Sequence, residues 1–147
     1  VGDEVVISWS IQNGIADNNA LNLMFEIENS VVINSNYFLT KYGFIPEFKG
    51  GLHYGEVTRG EIGVLKKEFV FAGDVLNTAS RMHSLCKEHQ VSLLVSGSLL
   101  NRFRHDETYT ILSLGEMKLQ GKKIRTSLFG VEKRKEPVFE RQGENSY

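Results

Sequence analysis

An α+β domain, with helices packed in a second layer on a largely antiparallel sheet, is what the order of patterns along this chain predicts. Three observations carry that expectation. β-Branched and aromatic runs recur at 5–9, 64–71, 91–96, 109–119 and 123–133. Helical spacing appears twice, over 17–42 and 74–89. Glycine-containing connections sit between neighbouring strands and favour hairpins.

Taken in order, "VVISW" at 5–9 is a strand. The "VGDEV" before it is a tight Gly-Asp turn that places Asp3 at a hairpin tip. A hairpin needs a strand on both sides of its turn, and the incoming one is not in this sequence. The chain is therefore expected to start inside its domain, with an N-terminal strand and helices missing. From Asp17 to Tyr42, Leu21, Met24, Ile27, Val31 and Phe38 recur at helical spacing. Seven asparagines between positions 13 and 36 make this a weak helix by propensity, so packing must hold it. Gly43 and Pro46 punctuate its end. Alternation at Leu52, Tyr54 and Glu56-Val57, then from Val64 to Phe71, predicts two strands with "TRGEIG" as their connection. Asp74 to His89 is a helix with Asp74 as N-cap. "VSLLVS" (91–96) is a short apolar strand, "SGSLLNRF" a brief helix, and 109–119 and 123–133 are two last strands joined around Gln120-Gly121-Lys122. The domain is expected to cover 1–133, with a charged tail over 134–147.

Composition narrows the possible partners. With 147 residues and 41% hydrophobic content there is material for one good core. A net charge of −1 and a pI near 6.5 give no bulk attraction to nucleic acid or anionic lipid. Cys86 is the sole cysteine, which excludes a disulfide framework and suits a reducing, cytoplasmic compartment. No apolar run reaches the length that spans a bilayer, so any membrane link would come from segments outside this chain.

The 74–89 helix raises a chemical question. At about 100° per residue, Val75, Leu76, Ala79, Met82 and Cys86 gather on one side as the core stripe. Asn77 and Arg81 fall opposite, within about 40° of each other. A solvated polar face would explain them. So would a ligand, because an arginine presents a rigid fork of donors suited to phosphate oxygens and an amide beside it can fix a sugar oxygen. Asp3 offers a carboxylate to a divalent ion, which Mg²⁺ usually shares with substrate phosphates. Lys122, in the last hairpin, adds a possible phosphate contact.

"GGLHYGEVTRGEIG" (50–63), "FVFAGDVLNTASRM" (69–82) and "LQGKKIRTSLFGVEK" (119–133) together strongly resemble the class III nucleotidyl cyclase catalytic domain, and "VGDEVV" resembles that family's metal-binding hairpin. The similarity runs from Val1 to about Lys133. It implies a ferredoxin-like sandwich and an antiparallel homodimer whose sites form between the two copies. It further implies cyclisation of ATP or GTP with release of pyrophosphate, aided by two Mg²⁺ or Mn²⁺ ions per site. By the same resemblance Asp3 is the second metal aspartate, and Asn77 and Arg81 orient the ribose and stabilise the reacting α-phosphate. Lys122 contacts the triphosphate, and Val70 occupies a purine-reading position. The first metal aspartate and the other purine-reading residue would precede Val1, so the 147 residues alone are expected to turn over little nucleotide. Valine makes no side-chain hydrogen bond to a base. ATP is favoured because the cysteine expected of guanylate cyclases is absent at Val70. A guanylate cyclase, or a degenerate cyclase-like domain that binds nucleotide or only dimerises, is the alternative. A diguanylate cyclase, which "VGDEV" echoes, has no place for the Asn-Arg helix.

Overall fold

The computed structural model describes residues 3–62, 68–72, 74–118 and 124–135, with 58–62 and 68–72 described by their backbone. The described residues form an α+β domain. A mixed four-stranded sheet runs in the order β1 (Gly50–Leu52), β4 (Leu93–Ser96), β6 (Arg125–Lys133), β5 (Tyr109–Lys118). β1 and β4 are parallel, while β4–β6 and β5–β6 are antiparallel. β2 (Thr58–Ile62) and β3 (Glu68–Ala72) form a separate antiparallel pair.

The region expected as one helix from Asp17 is broken up by its own asparagines. Ser10 caps α1 (Ile11–Ile15) by accepting from the Asn13 amide. A 3₁₀ turn at Ala16–Asn18 follows, with Asp17 and Asn18 at positive φ (48° and 57°), a region asparagine and aspartate tolerate. α2 (Asn19–Ile33) and α3 (Ser35–Tyr42) then run on to Gly43, whose φ of +79° ends the helix as the sequence implied. The buried Asn18 holds the chain at Arg104 twice: its Nδ2 donates to the Arg104 carbonyl and its Oδ1 accepts from the Arg104 amide, each at 2.9 Å. Tyr109 donates to Asn22 at 2.7 Å. Helix propensity is spent here on tertiary hydrogen bonds.

The central strand β4 is buried along all four residues. Leu93 and Val95 join Leu21, Met24 and Phe25 of α2, with Leu99 and Leu100 of α5 (Gly97–Leu100), in one cluster. Leu94 points the other way, into a second cluster with Leu128, Met117 and the Met82 and Cys86 side chains of α4 (Asp74–His89). The helix-on-sheet layering expected from the sequence therefore holds with one refinement: helices cover both faces at β4. That is why its pattern is continuous rather than alternating.

Two local expectations are corrected. Residues 4–10 form no strand, and Val5 is 79% exposed. Strand propensity needs a partner edge to become a strand, and among the described residues none pairs with this segment. "TRGEI" is itself strand β2, not a connection, and residues 63–67, between β2 and β3, lie outside the described residues. The expected joint at Gln120-Gly121-Lys122 and most of the 134–147 tail also lie outside them.

Candidate active site

α4 is the element that positions the predicted site. It is held from beneath at two points. The Cys86 thiol donates to the Gly50 carbonyl of β1 at 3.2 Å, and the helix backbone rides directly over Gly51. A Cβ on Gly51 would collide with the Ala79 carbonyl oxygen and come within 2.7 Å of the His83 amide nitrogen. Met82 and Cys86 are fully buried. Burial raises the Cys86 thiol pKa, so it acts as a packed core group and not a nucleophile. Thr78 takes a buried place that the helical wheel gave to Ala79, which is only half-buried.

The opposite face carries Asn77 and Arg81, both exposed as the wheel requires. Arg81 does not wave freely: its Nη1 donates to the Lys118 carbonyl, at the end of β5, at 2.8 Å. The guanidinium therefore sits at the base of the β5–β6 connection, four residues along the chain from Lys122. Lys122 itself lies outside the described residues. Val70 lies on β3, its backbone in register with Gly60 of β2.

Asp3 is exposed in a turn, and its neighbour Glu4 accepts from the Ser80 hydroxyl of α4 at 3.2 Å. Asp3 and Glu4 line an apolar cavity of 440 Å³ together with Met24, Leu52, Val75 and Ala79. Neither Asn77 nor Arg81 lines that cavity. Within one copy of the chain, then, Asp3 lines this cavity beside α4 and the Asn-Arg pair does not. As a cation ligand Asp3 supplies one hard carboxylate, the donor type Mg²⁺ prefers. Among the described residues no three His, Cys, Asp or Glu side chains group around a possible ion position. The donor set fits one ion completed by water and substrate phosphates, not two ions unaided.

A polar cluster at the C-terminal ends of the parallel strands escaped the sequence reading. His53 Nδ1 lies 2.8 Å from the buried Ser96 hydroxyl, which in turn lies 3.4 Å from that of Ser98. Beside it the Arg102 guanidinium stacks 4.6 Å from the Tyr54 ring centre. The only sequence signal was a histidine directly after an apolar strand. Burial holds the His53 pKa below its ordinary value, so the folded protein prefers the neutral ring. The unfolded chain takes up a proton as pH falls through about 6.5, and the folded chain resists. Stability contributed by neutral His53 is present above that pH and is lost below it, down to the lowered folded value. Urea midpoints should decline on acidification from pH 7 towards 5.5, and His53→Gln should flatten the decline. An unchanged slope in that variant would assign it to other groups. The Asp106 carboxyl, held below its ordinary pKa by the Thr108 hydroxyl and amide, loses its share only at lower pH.

Residues 18–132 match the family described as adenylate and guanylate cyclase catalytic domain. Adenylate cyclase 2 of Rhizobium meliloti is 31% identical over 122 residues, covering 83% of this chain and 34% of that protein. Bovine retinal guanylyl cyclase 2 is 31% identical over 121 residues, covering 78% of this chain and 11% of that protein. The chain thus spans about a third or less of these curated relatives. Among solved structures, a bacterial light-regulated adenylyl cyclase is 24% identical, with a TM-score of 0.45 over 55% of this chain and 22% of the other. The guanylate cyclase domain of a Catenaria anguillulae protein, solved in complex with GTP, is 29% identical, with a TM-score of 0.40 over 54% of this chain and 41% of the other.

Proposed function

The chain belongs to the adenylate and guanylate cyclase catalytic domain family, and from that premise we propose that it forms 3′,5′-cyclic AMP and pyrophosphate from ATP at a site shared by two antiparallel copies. The observation that carries this reading is the exposed Asn77–Arg81 face of α4, with the Arg81 guanidinium parked at the base of the β5–β6 connection. Both groups are turned away from their own core, where a second copy can reach them. Asp3 lines a cavity that the Asn-Arg pair does not line, and in this reading it serves the other site of the dimer.

In this mechanism the ribose 3′-oxygen attacks the α-phosphorus, its proton passes to solvent water, and the bond to the pyrophosphate oxygen breaks to release pyrophosphate. Asn77 holds the ribose so that the 3′-oxygen faces the phosphorus. Arg81 donates to the α-phosphate oxygens, where charge builds in the transition state. Lys122 meets the triphosphate. Asp3 would help hold a divalent ion, whose chemistry is to neutralise phosphate charge and to acidify the attacking hydroxyl. In this reading the catalytic domain covers 1–133 and works in the cytoplasm. The direct test is production of cyclic AMP from ATP with Mg²⁺ or Mn²⁺ by the full-length protein, against Arg81→Ala. No cyclic nucleotide from either ATP or GTP would leave the degenerate, binding-only reading in its place.

Val70 offers the base only an apolar contact, so base choice rests on the family's other purine-reading residue and on backbone groups. An apolar pocket discriminates by about 1–3 kcal/mol, far less than one built on hydrogen bonds. ATP should therefore be preferred over GTP by only about 10–200-fold in kcat/KM. Val70→Asp should widen the margin. Rejection of GTP by the wild type beyond about four orders of magnitude would remove Val70 from the purine site.

A further inference from the structure

β5 carries one residue too many. Ser113 pairs with Phe129 and Glu116 with Ser127, so three steps along β5 match two along β6. The extra residue sits at Leu114–Gly115, and Gly115 has φ +86°, a conformation that L side chains rarely adopt. Side chains and carbonyls alternate along a strand, so an added residue swaps the direction of every group beyond it. The consequences are visible on both faces. Met117, level with Thr126, is buried against Met82, Cys86 and Leu128. Glu116 is half exposed and lies 3.6 Å from Arg125. Without the bulge Glu116 would stand where Met117 does, in an apolar cluster beneath α4. Lys118 would be displaced by the same step, and its carbonyl is the group to which Arg81 donates.

We propose that Gly115 is a positioning residue for Arg81: the bulge it permits sets the end of β5 in the register that presents the Lys118 carbonyl to the guanidinium. Gly115 touches no substrate. It acts through the strand, and the bulge couples two things a regular strand could not satisfy together, the Met117 core contact and the Arg81 anchor. No atom lies within 4 Å of a Cβ built on Gly115. A substitution there meets open space, and its effect comes from backbone conformation alone.

This rests on the role of Arg81 proposed above for its kinetic arm only. In the full-length protein Gly115→Val, which resists positive φ, should lower kcat about tenfold or more with KM changed less than about threefold, as expected when a transition-state contact is misplaced. Gly115→Asn, which tolerates that φ, should keep most of the activity. The loss should vanish when Gly115→Val is added to Arg81→Ala, because residues acting through one contact are not additive. An undiminished loss in the Arg81→Ala background would overturn the proposal. The second readout needs no turnover: the Arg81 Nε–Hε NMR resonance should shift in Gly115→Val and stay near the wild-type position in Gly115→Asn. If the wild type makes no cyclic nucleotide, the reading of function fails while this resonance still decides the positioning. An Arg81 signal indifferent to both substitutions would end the idea. Where Gly115→Val folds poorly, Gly115→Ala is the milder replacement, with the same expected direction in kcat and in the resonance.

Discussion

Arg81→Ala in the full-length protein should lower kcat by about 10²–10³-fold, the usual cost of removing one donor that meets developing charge. KM should change little, because the contact strengthens in the transition state and not on binding. Stability should move by no more than about 0.5 kcal/mol, since Arg81 is exposed and its bond among the described residues is to the carbonyl of the exposed Lys118. Asp3→Ala should also inactivate. The pair becomes informative when mixed. If one copy gives Asp3 and the other gives Asn77 and Arg81, a mixed dimer holds one intact site and one with both defects. Random pairing makes about half the dimers mixed, so activity should return to about a quarter of wild type. Mixed dimers seen by native mass spectrometry without recovered activity would place all the residues in one copy's site. A kcat unchanged in Arg81→Ala would remove the arginine from catalysis altogether.

How much of this was legible before the fold differs from element to element. α4 was legible in its extent because its periodicity is clear and Met82 and Cys86 of the expected stripe are buried, although Asp74, expected as N-cap, is the first helical residue and Thr78 is buried where Ala79 was expected. β4, β5 and β6 were legible for the same reason. The first half of the chain was not. The sequence of 5–9 has strand propensity, but pairing is a property of two segments and propensity speaks for one. Between 13 and 36, Asn18 and Asn22 carry side-chain hydrogen bonds to Arg104 and Tyr109, 87 residues away in sequence for the Tyr109–Asn22 bond. No local window contains that information. At the site, the outward direction of Asn77 and Arg81 followed from helical geometry alone. What Arg81 leans on did not: the Lys118 carbonyl reaches it only through a register shift at Gly115, and registers are set by partners.

The second large effect is structural and reaches the site through α4. Gly51→Ala should destabilise the domain by about 3 kcal/mol or more, at or above the upper end of ordinary overpacking. The reason is what the new methyl would meet. At Gly51 it is helix backbone, the Ala79 carbonyl and the His83 amide, with Met82 Cβ a further contact at 3.1 Å. Backbone cannot swing aside as a side chain can, so α4 must lift from β1 or β1 must leave β4. Gly50 is the built-in control, one residue away on the same strand. A Cβ there meets Leu93 Cδ1 at 3.1 Å and Met24 Sδ at 3.3 Å, the far ends of flexible side chains. Gly50→Ala should cost only about 1 kcal/mol, because thioether and leucine tips can rotate. Urea midpoints at constant m give both values. Whatever lifts α4 also moves Asn77 and Arg81, so Gly51→Ala should lose activity at temperatures where Gly50→Ala retains it. Equal costs at the two glycines would mean that α4 does not rest on β1 as closely as its backbone contacts with Gly51 require.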